Sequence, residues 1–156
     1  MTPALKALTT AGLQPKLHKY RYVERGGTAA SSSALGIDEH RIVKTLVFET
    51  SDGTPFIILM HGDRLVSAKA LARHLGVRSV KPCPPAVAQR HSGYRVGGTS
   101  PFGTQKQLAV YVEASILEIE MIIINAGRRG LLMEIPSSSI STILRAEPVQ
   151  VSLPKS

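Results

Sequence analysis

The strongest constraint on this chain is a pair of apolar runs joined by a turn. Phe56-Ile57-Ile58-Leu59-Met60 is apolar at every position, so both its faces need cover and it belongs in the middle of a sheet. Ahead of it, Ile42-Val43-Lys44-Thr45-Leu46-Val47-Phe48 reads as a strand, and Ser51-Asp52-Gly53-Thr54 is a hairpin signal. The other elements must be arranged around this hairpin.

Thr2-Pro3 opens a helix, with Thr as N-cap and Pro in the first turn, and Gly12 closes it. Leu17 to Tyr22 reads as a short strand with His18, Tyr20 and Tyr22 on one side. Thr28 can cap a helix through Leu35, and Asp38 starts one further turn. Ser67 caps a helix from Ala68 to Leu75, and Pro84-Pro85 start another through about Arg90. Strands are expected over Val77–Val80, Leu108–Val112, Ile119–Ile124 and Leu131–Ile135. A last helix runs from Pro136-Ser137 to about Leu144, followed by an edge strand over Val149–Leu153. Hairpins dominate over regular βαβ units, so the expected fold is α+β, one domain over residues 1–156, with a mixed, curled sheet and helices outside.

Size and charge narrow the function. A chain of 156 residues can bury a core, and 19 Lys+Arg against 11 Asp+Glu give a net charge of +8, spread along the chain. That favours an anionic partner, nucleic acid first. Cys83 is the single cysteine, so no disulfide framework exists and a reducing, cytoplasmic setting is expected. No secretory signal and no membrane-spanning run is seen, so no membrane partner is expected.

Two features stand out chemically. Lys44 is the only charge in its apolar strand; either its stem snorkels to water or its ammonium waits for an anion. Gly93-Tyr94-Arg95-Val96-Gly97-Gly98-Thr99-Ser100-Pro101-Phe102-Gly103-Thr104-Gln105-Lys106 is either an ordinary surface loop or a set of main-chain donors for an anion. Its Gly98 to Gly103 segment imitates the start of a P-loop, but Thr104-Gln105 replaces Lys-Ser/Thr, which removes a nucleotide triphosphatase reading. The five histidines show no metal spacing along the chain, and no Gly-x-Ser-x-Gly elbow is present. A lysine, the neighbouring Thr45 hydroxyl and a loop of donors, without a strong base or nucleophile, suit an anionic substrate that carries its own reactivity, such as an aminoacyl-tRNA ester.

At these residues the chain resembles the YbaK/proline-tRNA-synthetase-associated editing domains, over about residues 1 to 150. The resemblance rests on Met1-Thr2-Pro3-Ala4, His18-x-Tyr20, Val43-Lys44-Thr45-Leu46 and Val87-Ala88-Gln89-Arg90. It continues through Gly93-Tyr94-x-Val96-Gly97-Gly98-x-Ser100-Pro101-x-Gly103 and Gly127-x-Arg129-Gly130-Leu131. It implies an editing domain that deacylates mischarged tRNA without a metal or other cofactor, with prolyl-tRNA synthetase as a further partner. Lys44 matches the family's essential lysine, expected to hold the tRNA 3′ end. Gly97, Gly98 and Ser100 match the loop that approaches the aminoacyl group, so Lys44, Gly98 and Ser100 are the implied catalytic positions. Tyr20, Thr45, Gly97, Pro101, Gly103, Gly127 and Gly130 are the implied substrate-binding ones.

The closest branch resembles the YbaK-type proteins, which remove cysteine from tRNA(Pro). Their implied route has the cysteine thiol attack its own ester, giving a thiolactone; the enzyme class implied is a hydrolase, or a lyase by that thiolactone route. Two positions depart from the pattern: Gly26-Gly27-Thr28-Ala29 lacks the usual aromatic-Gly pair, and Leu132 stands where that branch often has an acid. Removal of another amino acid, Ala or Ser, and a non-catalytic tRNA-binding module are the alternatives.

Overall fold

The structure, a computed structural model, describes residues 1–155. In chain order it runs α1 (Pro3–Thr10), β1 (Lys16–Lys19), α2 (Gly27–Leu35), β2 (Ile42–Thr50), β3 (Pro55–His61), β4 (Arg64–Val66) and α3 (Ala68–Leu75). Then follow β5 (Val80–Pro82), α4 (Pro85–Ser92), β6 (Ala109–Glu113), β7 (Met121–Arg128), β8 (Leu131–Pro136), α5 (Ser138–Thr142), β9 (Glu147–Val149) and β10 (Ser152–Pro154). Among the described residues, one mixed sheet has the order β1-β8-β7-β2-β3-β6-β9, with β5 also on β2, and β10 pairs β4 separately. The α+β expectation with a mixed sheet therefore holds.

β3 is central, as its sequence requires: Ile57, Ile58, Leu59 and Met60 are all fully buried. Ile57 and Leu59 join the core under α1 and α4, while Phe56, Ile58 and Met60 join the core under α3. β2 pairs with β3 antiparallel from Val43↔His61 to Glu49↔Pro55.

The other edge of β2 is shared. β7 pairs with it in parallel only at Ile42↔Ile123 and Val43↔Ile124. β5 pairs with it only from Phe48 onward, and the Cys83 amide reaches the Val47 carbonyl at 2.9 Å. Between these contacts, Lys44, Thr45 and Leu46 have no ladder partner on this edge among the described residues.

Several boundaries differ from expectation for local reasons. β1 stops at Lys19 because its partner β8 begins at Leu131, opposite Lys19; Tyr20 then gives its amide to the Gly130 carbonyl at 3.0 Å. Thr28 does not cap α2. Gly26 holds the N-cap position, and the Thr28 hydroxyl bonds Glu39 Oε2 at 2.7 Å and the Gly62 carbonyl at 3.1 Å. The expected last strand is cut into β9 and β10, because the buried Glu113 carboxylate takes the Val151 amide at 2.7 Å between them.

The Thr2 cap does form. Its hydroxyl accepts the Leu5 amide at 3.1 Å and donates to the Ala126 carbonyl of β7 at 2.5 Å. Gly103 sits on the same helix start with φ +65°, and a Cβ there would lie 2.5 Å from the Pro3 carbonyl oxygen. Gly103→Ala is therefore expected to destabilise the protein by about 2–3 kcal/mol, from the left-handed backbone and the clash together. Chemical denaturation would show it as a lower midpoint with an unchanged slope.

Candidate functional site

The site is built where β2 loses its outer partners. Lys44 shares a face with Ile42 and Phe48, and Thr45 points the opposite way, with Val43 and Val47. Lys44 is partly buried, and its ammonium donates to the Arg64 carbonyl at 2.5 Å. Burial pushes the ammonium below the usual lysine range, and Lys155 adds to that; Glu39 and Asp63 pull it back up. Thr45 has a buried hydroxyl with no hydrogen-bond partner among the described residues. The orphaned Thr45 hydroxyl and the partly desolvated Lys44 ammonium stand on opposite faces of β2, and each carries its own desolvation cost.

The glycine-rich loop is held against the β7–β8 turn. Tyr94 is buried and donates to the Phe102 carbonyl at 2.6 Å; burial pushes its phenol up to about 12. Ser100 and Pro101 are buried, and the Ser100 hydroxyl takes the Phe102 amide at 3.3 Å. The Ser100 side chain thus shapes the loop from inside.

Gly98 is pressed on the backbone of Arg128 and Arg129, where a Cβ would come within 2.9–3.2 Å, and its amide is used on the Arg95 carbonyl at 2.8 Å. Gly97 has φ +93°, and a Cβ would lie 2.5 Å from the Tyr22 hydroxyl. The amides of Gly97, Thr99 and Ser100 donate to no atom of the described residues. The expected convergence of donors is therefore narrower than four glycines suggest, since Gly98 donates within the loop.

Asn125 joins the loop to the lysine, and sequence reasoning passed over it. One register step past the last β2–β7 pair stand Lys44 on one strand and Asn125 on the other. The Asn125 amide donates to the Gly97 carbonyl at 3.1 Å, while its oxygen accepts from Gly127 at 2.6 Å and Arg128 at 3.1 Å. Arg129 adds a bond to the Val96 carbonyl at 2.9 Å and lies over the Tyr22 ring, 4.8 Å from its centroid.

Gly127, at φ +100°, is needed for packing, because a Cβ would lie 2.9 Å from the Tyr94 ring. Gly130 approaches the Tyr20 carbonyl in the same manner. Tyr20 packs in a small apolar cluster with Ile42, Ile123, Leu132, Leu35 and Ile37, and burial, with Tyr22 beside it, raises its phenol.

The structure also gathers His40, His61 and Asp63, with ligand atoms within 4.8 Å of one another, which their spacing along the chain does not reveal. The two imidazoles stack at 3.8 Å. His61 Nδ1 donates to the His40 carbonyl at 2.8 Å and Nε2 takes the Ser115 hydroxyl at 2.7 Å. His40 Nδ1 bonds Asp63 at 2.8 Å. Both His61 nitrogens are in use, and burial pushes that group below the usual imidazole range. The trio serves as a brace for the β3–β4 turn that holds Lys44, and its lone pairs fit an ion poorly.

A half-buried cation and a loop with unspent amides, linked through Asn125 at a split in a mixed sheet, have the chemistry to meet an anionic, polar ligand. The sequence profile of the Aminoacyl-tRNA editing domain matches residues 25–141, and the chain belongs to that family. Over 152 residues it is 26% identical to an Enterococcus faecalis protein provisionally named Cys-tRNA(Pro)/Cys-tRNA(Cys) deacylase EbsC, spanning 97% of this chain and 93% of that one. A Moorella thermoacetica proline–tRNA ligase is 30% identical over 96 residues, which are 62% of this chain and 16% of the ligase. A solved structure provisionally described as a trans-editing enzyme for prolyl tRNA synthetase superposes with a TM-score of 0.86 at 20% identity, covering 97% of this chain and 95% of that one.

Asn125→Ala leaves the Gly97 carbonyl and the Gly127 and Arg128 amides without their partner. It is expected to cost roughly 1–3 kcal/mol, and hydrogen exchange should speed up at Gly127 and Arg128 before it does in β3.

Proposed function

We propose that this protein is a trans-acting deacylase that clears mischarged tRNA, with Cys-tRNA(Pro) as its leading substrate. The observation that carries the reading is Lys44, a partly buried ammonium in the stretch of β2 that has no outer ladder partner among the described residues. Support comes from the family match and from the deacylase and ligase relatives at tRNA(Pro). No helix of the described residues is long and apolar enough to cross a membrane. The lone Cys83 and the aminoacyl-tRNA substrate support a cytoplasmic setting for this activity.

In this mechanism the Lys44 ammonium leaves the Arg64 carbonyl for a phosphate or ribose oxygen of the tRNA 3′ end. The free amides of Gly97, Thr99 and Ser100 receive the charge that builds on the ester carbonyl oxygen. The bond-making group comes from the substrate: the cysteine thiol attacks its own ester carbon, the ester C–O bond breaks, and the thiol proton ends on the released ribose oxygen. The basic groups around Lys44 are engaged elsewhere: His61 on both nitrogens, Asp63 with His40, and Glu39 with Thr28 and Lys155.

The apolar cluster of Tyr20, Ile42, Ile123 and Leu132 favours a second reading for the amino acid, since Leu132 removes the acid from that place. Deacylation of tRNA(Pro) carrying Cys, Ala or Ser would separate these readings. Preference for Ala would move the assignment to an apolar side chain, and release of none, with salt-sensitive binding retained, would leave a binding module.

Lys44→Ala should lower turnover of the preferred species by about 100- to 1,000-fold with an unchanged circular dichroism spectrum; wild-type turnover in that variant would remove the proposal. Because the ammonium is the active form and its environment lowers its pKa, the wild-type rate should fall with rising pH before the usual lysine range is reached. A pH–rate profile, corrected for spontaneous ester loss, reads this directly.

A further inference from the structure

The charges around Lys44 come from distant parts of the chain. Glu39 precedes β2, Asp63 and Arg64 lie at the β3–β4 turn, and Lys155 follows β10. The β4–β10 ladder pairs Arg64 with Pro154, so Lys155 is the residue after the partner of the carbonyl that takes the Lys44 ammonium. Lys155 Nζ lies 3.2 Å from Glu39 Oε2, an oxygen that also accepts the Thr28 hydroxyl at 2.7 Å. On the far side of the turn, Asp63 is bonded to His40, which stacks on the neutral His61. Two ammonium groups are thus brought to the same turn, each on an oxygen that a ligand could replace, and an anion that meets both would relieve their repulsion.

We infer that Lys155 is a second phosphate-binding cation of this site, set beside Lys44 by the β4–β10 ladder, and that the two lysines together take one phosphodiester of the single-stranded 3′ end of the RNA. The inference rests on the deacylase reading and assigns a residue outside the matched family segment of 25–141. On binding, Lys155 exchanges the Glu39 carboxylate for a phosphate oxygen, and Lys44 exchanges the Arg64 carbonyl for another. Lys155 is partly exposed, its side chain at 44% of full accessibility, so replacing it leaves the core untouched.

The test is binding of an uncharged acceptor minihelix with its 3′ overhang, followed by fluorescence anisotropy across a salt series, for wild type, K155Q and K155R. K155Q should weaken binding about 5- to 10-fold at low salt and make log K fall less steeply with log salt, by a part of the ~0.7 of one single-strand phosphate contact, because Lys44 still meets the shared phosphate. K155R should keep the wild-type slope, and a blunt duplex without the overhang should bind wild type and K155Q alike. In deacylation, K155Q should raise KM and leave kcat. It should also move the alkaline limb of kcat/KM upward, because Lys44 loses a like charge and keeps Glu39 and Asp63.

An unchanged slope in K155Q, an equal loss in K155R, or an equal loss on the blunt duplex would overturn the inference. If wild type binds with the expected slopes but deacylates nothing, the phosphate site stands and the deacylase reading falls. If it deacylates and K155Q matches it in slope and KM, the reverse holds.

Discussion

The arrangement depends on the incomplete pairing of β2. A strand with both neighbours in place has no room for a ligand, and its side chains are covered on both faces. Here β7 leaves after Val43 and β5 arrives only at Phe48. The interval contains the only cation of the strand and a hydroxyl without a partner among the described residues. Backbone pairing is satisfied on the β3 side throughout, so the opening does not compromise the central ladder.

The glycines around this opening divide by their physical reason. Gly103 and Gly127 are dictated by close approach to Pro3 and to Tyr94, and Gly98 by the backbone of Arg128 and Arg129. These contacts make the loop rigid and would be needed in the absence of any substrate. Gly97 differs, because its left-handed backbone, the Tyr22 contact and the Asn125 bond fix a short run in which unspent amides remain. A glycine-rich motif can thus be mostly packing and still present two or three donors.

Much of this was legible in the sequence. The hairpin of β2 and β3, the Thr2 and Ser67 caps and the mixed α+β character follow from local pattern, and Lys44 stood out as a charge in an apolar run. Strand ends were less legible, because β1 ends where β8 does and β9 is cut from β10 by Glu113, both decided by distant partners. The companions of Lys44 were hidden for the same reason. Arg64 is 20 residues away, and Lys155 meets Glu39 across 116. His40, His61 and Asp63 meet through the β2–β3 register and not through a spacing rule. Asn125 was visible only as part of a glycine turn, since its role lies in bonds to three main-chain groups.

The double bond-making of Thr2 has a consequence for how this protein ages under heat. Its hydroxyl ties an eight-residue helix to β7, and the same helix start carries Gly103 of the loop. A two-turn helix packed on a sheet separates at lower cost than a strand paired on both sides in its middle. The donor loop is thereby moored to an element that opens more cheaply than the central ladder. Warming would blunt its chemistry while the sheet is still whole, so inactivation and unfolding would part company on the temperature axis.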